Sequence, residues 1–463
     1  MGLALETERI GVGAEQFQRD APAELRVLGD PDLAHRARCQ LLLEPVAAGD
    51  HLVHYRSRLW PVVSGFSPDL VSIEEAQQLV LARVERLPLE DVPVGEAAGR
   101  VLAAPGVAAV DLPPFDSSAM DGFALRAADA PGQLPVSLRI AAGSPAPRAL
   151  EPGEAMGIAT GGVVPAGADA VIPFEDVVEG DNSIELTDRV EIGASIRPAG
   201  GDIRRGEVVV AGGVRLGAPQ VAALAAAGVA EVRCAQRPRA AVLATGSELR
   251  PPGVPLGPGQ VYEANGILVA AQLESMGAEV ERLSPVADDD AAHREALARG
   301  LSFDLLVTTG GVSVGPHDLV RKVAAELGVE EVFWGVSMKP GKPISFGVLG
   351  KRLMFGLPGN PVSVLVGFEL FVRPALRALQ GEADPLPRFE PGRLAVSVEP
   401  NPGRDELVRA RLSSDGGGPV LEPLPGRESH MIVRAAAADA LVLVRKGKET
   451  YAAGSQVEFL RLL

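Results

Sequence analysis

Basic charge is scarce in this 463-residue chain: 44 Lys and Arg stand against 60 Asp and Glu, a net charge of −16. That balance argues against a general nucleic-acid binder and against a protein drawn to an anionic membrane surface. Any anionic ligand must therefore be held by a local basic cluster. Cysteine is scarcer still. Cys39 and Cys234 are the only two; they form no CxxC and no disulfide framework, which points to a reducing compartment. No apolar run is long enough to span a bilayer. The opening residues, MGLALETERIGVGAE, lack a charged region followed by an apolar core, so no secretory signal is expected and the protein reads as cytoplasmic. His317 lies within a loop, and the other histidines show no metal-ligand spacing.

Glycine and proline are abundant, at 53 and 39 residues, and 46% of the chain is hydrophobic. This composition supplies real cores and many turns, and the length suits about three or four domains. Residues 238–380 have the alternating rhythm of an α/β domain. Strands are predicted over 240–244, 279–286, 305–308, 332–337 and 352–355, and helices over 265–276, 291–299, 319–327 and 361–379. Asn360 is placed to cap the last helix and Pro361 to take its first position, where a missing N–H costs nothing.

A polar cluster follows each of these strands: TGSE at 245–248, DDD at 288–290, TTGGVSVGPHD at 308–318, KPGKP at 339–343 and LPGN at 357–360. Ligands of open parallel sheets bind outside the carboxyl ends of the strands, so five clusters on one edge mark a site. In the longest cluster, glycines and serines let the backbone approach a ligand and offer N–H groups to an anion. Its Asp318 offers a carboxylate to a metal. KPGKP holds two ammonium groups in a proline-stiffened loop, and like charges held close call for an anion or a carboxylate nearby. Each cluster also has a plainer reading: an ordinary turn for TGSE and for the glycine loop, a solvated helix start for DDD.

Elsewhere a helix is predicted over 72–86, with Ser72 and Glu75 as a capping box and Ala76, Leu79, Val80 and Val84 on one face. Residues 105–200 alternate short β runs with Gly/Pro turns. Within them DLPPFDSSAMDG at 111–122 holds Asp116 and Asp121, for which two Asx-turns are the alternative reading. An Ala-rich helix over 219–227 should end at Gly228. Residues 385–463 return to short strands and turns.

Seven motifs occur in order: PPFDSSAMDGFA, TGGVVPAGADAV, TGSEL, LGPGQVYEAN, TTGGVSVGPHD, MKPGKP and FGLPGNPVS. Through them residues 70–463 resemble the MoeA family of molybdopterin molybdenumtransferases, which includes the E domain of gephyrin. The resemblance implies a multidomain α/β plus β protein. An elongated helical or linker domain would take 69–104 and 190–235, and a small β domain 105–189. A three-layer α/β molybdopterin-binding domain with a mostly parallel sheet would take 236–381, and a C-terminal β-barrel-like domain 382–463. The role of the extension at 1–68 is unknown.

The family further implies a transferase that takes adenylylated molybdopterin and molybdate, uses Mg²⁺, releases AMP and leaves molybdenum on the dithiolene. It implies a homodimer with a composite active site. Molybdopterin adenylyltransferase and molybdoenzyme maturation proteins are possible further partners, while nucleic acid and membrane are not expected. On this sequence, Glu248 and Asp318 would be the hard carboxylates for Mg²⁺. Gly310, Gly311, Ser313 and Gly315 would cradle the pyrophosphate. Lys339 and Lys342, with Pro343 in the same motif, would meet molybdate and the charge that develops as the anhydride breaks. Asp288 matches a further acidic position. Asp121, Thr160 and Asp202 would enter from the second copy, and Ser363 and Arg409 complete the set.

Three departures stand out: Val433 and Arg434 replace a frequent Ser pair, Ser247 replaces an acid, and Ala166 replaces another. Rival readings are the adenylyltransferase of the preceding step, usually one domain with a GGTG-type loop, and a non-catalytic dimeric scaffold of the same fold.

Overall fold

A computed structural model describes residues 70–287, 289–311 and 319–462, all within the unit Ser67–Leu463. The expected extension at 1–68 lies outside the described residues. Helix α1 (Ile73–Leu81) starts where Ser72 Oγ accepts the Glu75 N–H at 3.0 Å, the first half of the expected capping box. It is shorter than predicted, because the chain leaves it to place the Leu87 N–H on Leu379 O at 2.9 Å. Segments on either side of the small β region then run together. Leu89–Pro93 pairs antiparallel with Glu231–Ala235, and Gly106–Val107 with Val208–Val210. Helix Ala218–Ala226 packs on them and stops before Gly228, at φ 78°.

Between these segments lies a six-stranded sheet. In it Gly122–Leu125 is flanked by Ala170–Pro173 and Ala155–Ile158, and Gly132–Ile140 runs parallel to the latter. Side chains alternate across the pleat, so Phe123 and Leu125 enter one core while Ala124 enters another. That double burial explains why Gly122–Leu125 is apolar throughout.

The α/β domain follows in chain order as β1 (Arg239–Ala244), α2 (Asn265–Ser275), β2 (Glu279–Arg282), α3 (Asp290–Gly300), β3 (Leu305–Thr309), α4 (Leu319–Glu326), β4 (Glu330–Trp334), β5 (Met338–Lys339), β6 (Ser345–Leu349), β7 (Arg352–Leu357), α5 (Pro361–Gly367) and α6 (Arg373–Leu379). The sheet order is β2-β1-β3-β7-β6-β4. The first three pairings are parallel, while β6 is antiparallel to both neighbours, so β4 points the same way as β7. Ala240, Val242, Leu305 and Val307 face α1, α2, α5 and α6; Ala241, Leu243 and Leu306 face α3 and α4. This is the expected three-layer, mostly parallel arrangement.

Several sequence expectations shift, and the strand predicted over 279–286 ends at Arg282. The strand predicted over 332–337 lies earlier, at β4, because Val336 bridges Val71 and the Ser337 N–H donates to Val71 O at 2.7 Å. Strand β6 was not predicted at all. The helix predicted over 361–379 contains a π-helical turn, Phe368–Val372, between α5 and α6. Pro374 has no N–H to give Leu370 O. That carbonyl instead accepts Gln77 Nε2 of α1 at 3.0 Å.

The C-terminal residues form β8 (Phe389–Leu394), β9 (Asp405–Asp415), β10 (Gly418–Pro423), β11 (Ala440–Val444) and β12 (Gln456–Arg461). They close as β9-β10-β8-β12-β11 and back to β9, a five-stranded barrel with no free edge. Val408, Ala410, Leu421, Val442 and Phe459 fill it. Strand β5 leaves the α/β domain and pairs parallel with β9. No helix among the described residues is long and apolar enough to cross a membrane.

Candidate functional site

The carboxyl ends of β1, β3, β7 and β4 and the amino end of β6 share one edge of the sheet. Because β2 is parallel to β1, its carboxyl end lies there too, and all five predicted clusters, or their described parts, share this edge. Backbone bonds tie the crossovers together: Thr245 N–H to Thr309 O at 3.0 Å, Gly246 N–H to Val286 O at 3.1 Å, and Gly310 N–H to Leu357 O at 3.0 Å. Asn265 Nδ2 donates to Gly359 O at 2.7 Å, which fixes the turn before α5.

Gly310 and Gly311 have φ of 86° and 64°, a region that favours glycine. A Cβ on Gly310 would stand 2.6 Å from Thr245 O. The close packing of β1 and β3 ends thus requires glycine there. Glu248 is exposed beyond the end of β1, and its carboxylate folds back over Gly246. Asp289, next in the acidic run, caps α3 by accepting the Ala292 N–H at 2.8 Å, and Asp290 pairs with Lys322 at 2.8 Å. These two aspartates fulfil the plainer reading of a helix start. Asp288, Ser313, Gly315 and Asp318 lie outside the described residues. Among the described residues no three acidic, His or Cys side chains are grouped to hold a metal ion.

The KPGKP loop leaves after β4 and returns into β6. Its base is pinched by Gly335 N–H to Ile344 O at 2.8 Å and Val336 N–H to Lys342 O at 2.9 Å. Gly341, at φ 103°, is buried against Met338 and Ile344. Lys342 is exposed and has no ion-pair partner among the described residues, and Pro343 leads directly to β6. Lys339 differs: its Nζ lies 3.2 Å from Glu406 Oε1 on barrel strand β9. Glu406 was missed in the sequence, although a carboxylate beside the apolar pair Leu407 and Val408 was a usable signal.

Ser363 and Arg409 sit deeper. Ser363, in the first turn of α5, is 3% exposed. Arg409 is buried, and its guanidinium donates to the carbonyls of Gly426, Glu428 and Met431. Burial lowers its pKa. The segment where a Ser pair is frequent carries Val433, 85% exposed, on the short helix Ile432–Ala435.

In the small β region Asp121 and Thr160 meet directly. The carboxylate accepts the Thr160 N–H at 2.6 Å and its Oγ1–H at 3.0 Å. Those bonds, the backbone one first, lower the Asp121 pKa. The neighbouring Asp116 accepts the Ala199 N–H at 2.8 Å, and the Asp202 N–H donates to Leu112 O at 2.9 Å. Asp202 itself is exposed. The 111–122 turn is thus held against residues 195–205.

Comparison with known proteins covers nearly all of this architecture. Residues 71–228 match the family described as MoeA N-terminal region (domain I and II), 241–378 a probable molybdopterin binding domain, and 391–462 the MoeA C-terminal region (domain IV). Molybdopterin molybdenumtransferase 2 of Mycobacterium tuberculosis is 38% identical over 403 residues, 84% of this chain and 98% of the relative. The molybdopterin molybdenumtransferase of Haemophilus influenzae is 37% identical over 321 residues, 68% of this chain and 78% of the relative. The crystal structure of the molybdopterin biosynthesis MoeA protein of Pyrococcus horikoshii OT3 superposes with a TM-score of 0.73 at 29% identity, covering 85% of this chain and 100% of that one. With three family regions matched in chain order and a relative covered almost end to end, the chain belongs to the MoeA family.

Proposed function

We propose that this protein is a molybdenum insertase of molybdenum cofactor biosynthesis, working in the cytoplasm as a homodimer. It takes adenylylated molybdopterin and molybdate, releases AMP and delivers molybdenum on the pterin dithiolene. The observation that carries the reading is the convergence, at one sheet edge, of glycine crossovers that bring backbone close to a ligand and a lysine loop that brings it charge. The matched family regions and relatives support it.

The roles follow from chemistry. Gly310 and Gly311 admit a phosphate group near backbone, and Ser313 and Gly315 would join them in holding it. Lys342, exposed and without an ion-pair partner among the described residues, offers its ammonium to a compact dianion and to the negative charge that grows on a departing phosphate. Glu248 suits Mg²⁺: it is an exposed, hard oxygen donor at the same edge, and Asp318 would join it. Bound there, Mg²⁺ would neutralise phosphate oxygens. Asp121, kept ionised by Thr160, would complete the site from the second copy, with Asp202 near it. Ser363 and Arg409 would shape its floor. We extend the reading to the domain division 69–104 with 190–235, 105–189, 236–381 and 382–463. Purified protein should release AMP from adenylylated molybdopterin only when molybdate and Mg²⁺ are both supplied. Failure to do so, with a control insertase active in the same assay, would refute the reading.

A further inference from the structure

We propose that Glu406 is a positioning residue for the oxyanion end of this site: it aims the Lys339 ammonium and offsets part of its charge, so that a docked anion stays loose enough to be passed on. The inference rests on the function proposed above.

Three observations carry it. Parallel pairing of β5 with β9 sets Lys339 opposite Glu406 in register, so the contact is built by the backbone and not by chance rotamers. The Lys339 Nζ–Glu406 Oε1 distance is 3.2 Å, with the lysine side chain 39% exposed and the glutamate only 4%. The ammonium therefore reaches outward while its counter-charge sits behind it. The other Glu406 oxygen lies 3.6 Å from Arg427 of the barrel. Burying a carboxylate is costly unless its charge is met, and here two cations meet it.

The loop consequently presents two unlike lysines: Lys342, with no ion-pair partner among the described residues, and Lys339, partly neutralised. An insertase must bind its oxyanion and then give it up. Gripping the anion equally before and during the reaction would tighten binding without speeding transfer, and gripping it more strongly before than during would slow transfer. A carboxylate behind one ammonium lowers the local positive potential and fixes the direction of the remaining N–H bonds. A purely structural tie between barrel and loop would leave anion affinity alone.

The test titrates sodium molybdate into the full-length protein by calorimetry and follows AMP release in parallel. Glu406→Gln should bind molybdate about threefold to tenfold more tightly and turn over more slowly. A folded Glu406→Gln protein with unchanged or weaker molybdate binding overturns the proposal, even where turnover falls. Should that variant not fold, Arg427→Gln serves. Its side chain is 33% exposed, and its loss leaves the whole carboxylate to Lys339, so molybdate should bind about threefold more weakly. That loss should vanish in a Lys339→Met background. No change in Arg427→Gln, or an equal loss without Lys339, overturns the proposal. Wild-type protein that neither binds molybdate nor releases AMP would refute the proposed function and this inference together. Active wild type with a molybdate affinity equal to that of Glu406→Gln removes the inference alone.

Discussion

Asp121 accepts both hydrogen bonds that Thr160 can donate, one from its backbone N–H at 2.6 Å and one from its hydroxyl at 3.0 Å. Both favour the ionised carboxylate and lower its pKa from 3.8. A depressed native pKa stabilises the fold above the unfolded pKa, and that contribution is lost as the pH falls through the native one. Thr160→Val keeps the backbone bond and removes the hydroxyl. The acid limb of the pH–rate profile should then move to higher pH, and Thr160→Ser should restore it. An unmoved limb would detach Asp121 from the chemistry.

Lys342 has no ion-pair partner among the described residues, so removing its charge leaves no buried group unpaired. Lys342→Ala should unfold at the wild-type temperature and lose about a hundredfold or more in molybdenum insertion. Asp318→Ala should behave likewise. Wild-type cofactor formation in both variants would remove them from the site.

Gly310→Ala puts a Cβ 2.6 Å from Thr245 O at φ 86°. The strained backbone should cost about 1–3 kcal/mol and displace the loop that follows. Urea unfolding measures the first effect and the KM for adenylylated molybdopterin the second. A stable variant with unchanged KM would show that the crossover tolerates a side chain.

Gln77→Leu removes the donor that covers Leu370 O in the π-helical turn. An unsatisfied buried carbonyl should cost about 1–3 kcal/mol, read as a lower urea midpoint with little change in activity per folded molecule.

The proposed homodimer is checked by light scattering. A monomeric mass at working concentration would leave the proposed site without Asp121 and Thr160.

Much of this was legible because each cue was local. Alternating apolar runs and glycine turns located β1, β3 and β7, and Asn360-Pro361 located the start of α5. Strand β6 was illegible because Ile344, Phe346, Gly347 and Val348 form a short run directly after KPGKP. Only pairing with β4 and β7 makes it a strand. The same applies to Glu406, whose partner lies 67 positions away and meets it only through the β5–β9 register. The π-helical turn depends on a glutamine from another helix, and helical periodicity carries no sign of it.

The pinched base of the KPGKP loop bears on how the site can move. With Gly335 and Val336 bonded to Ile344 and Lys342, the loop has few conformations left to lose when an anion arrives. It is the fixed jaw. In the proposed site, any opening or closing around the substrate falls to what faces this loop, and the Gly335 and Val336 amides should exchange slowly with or without ligand.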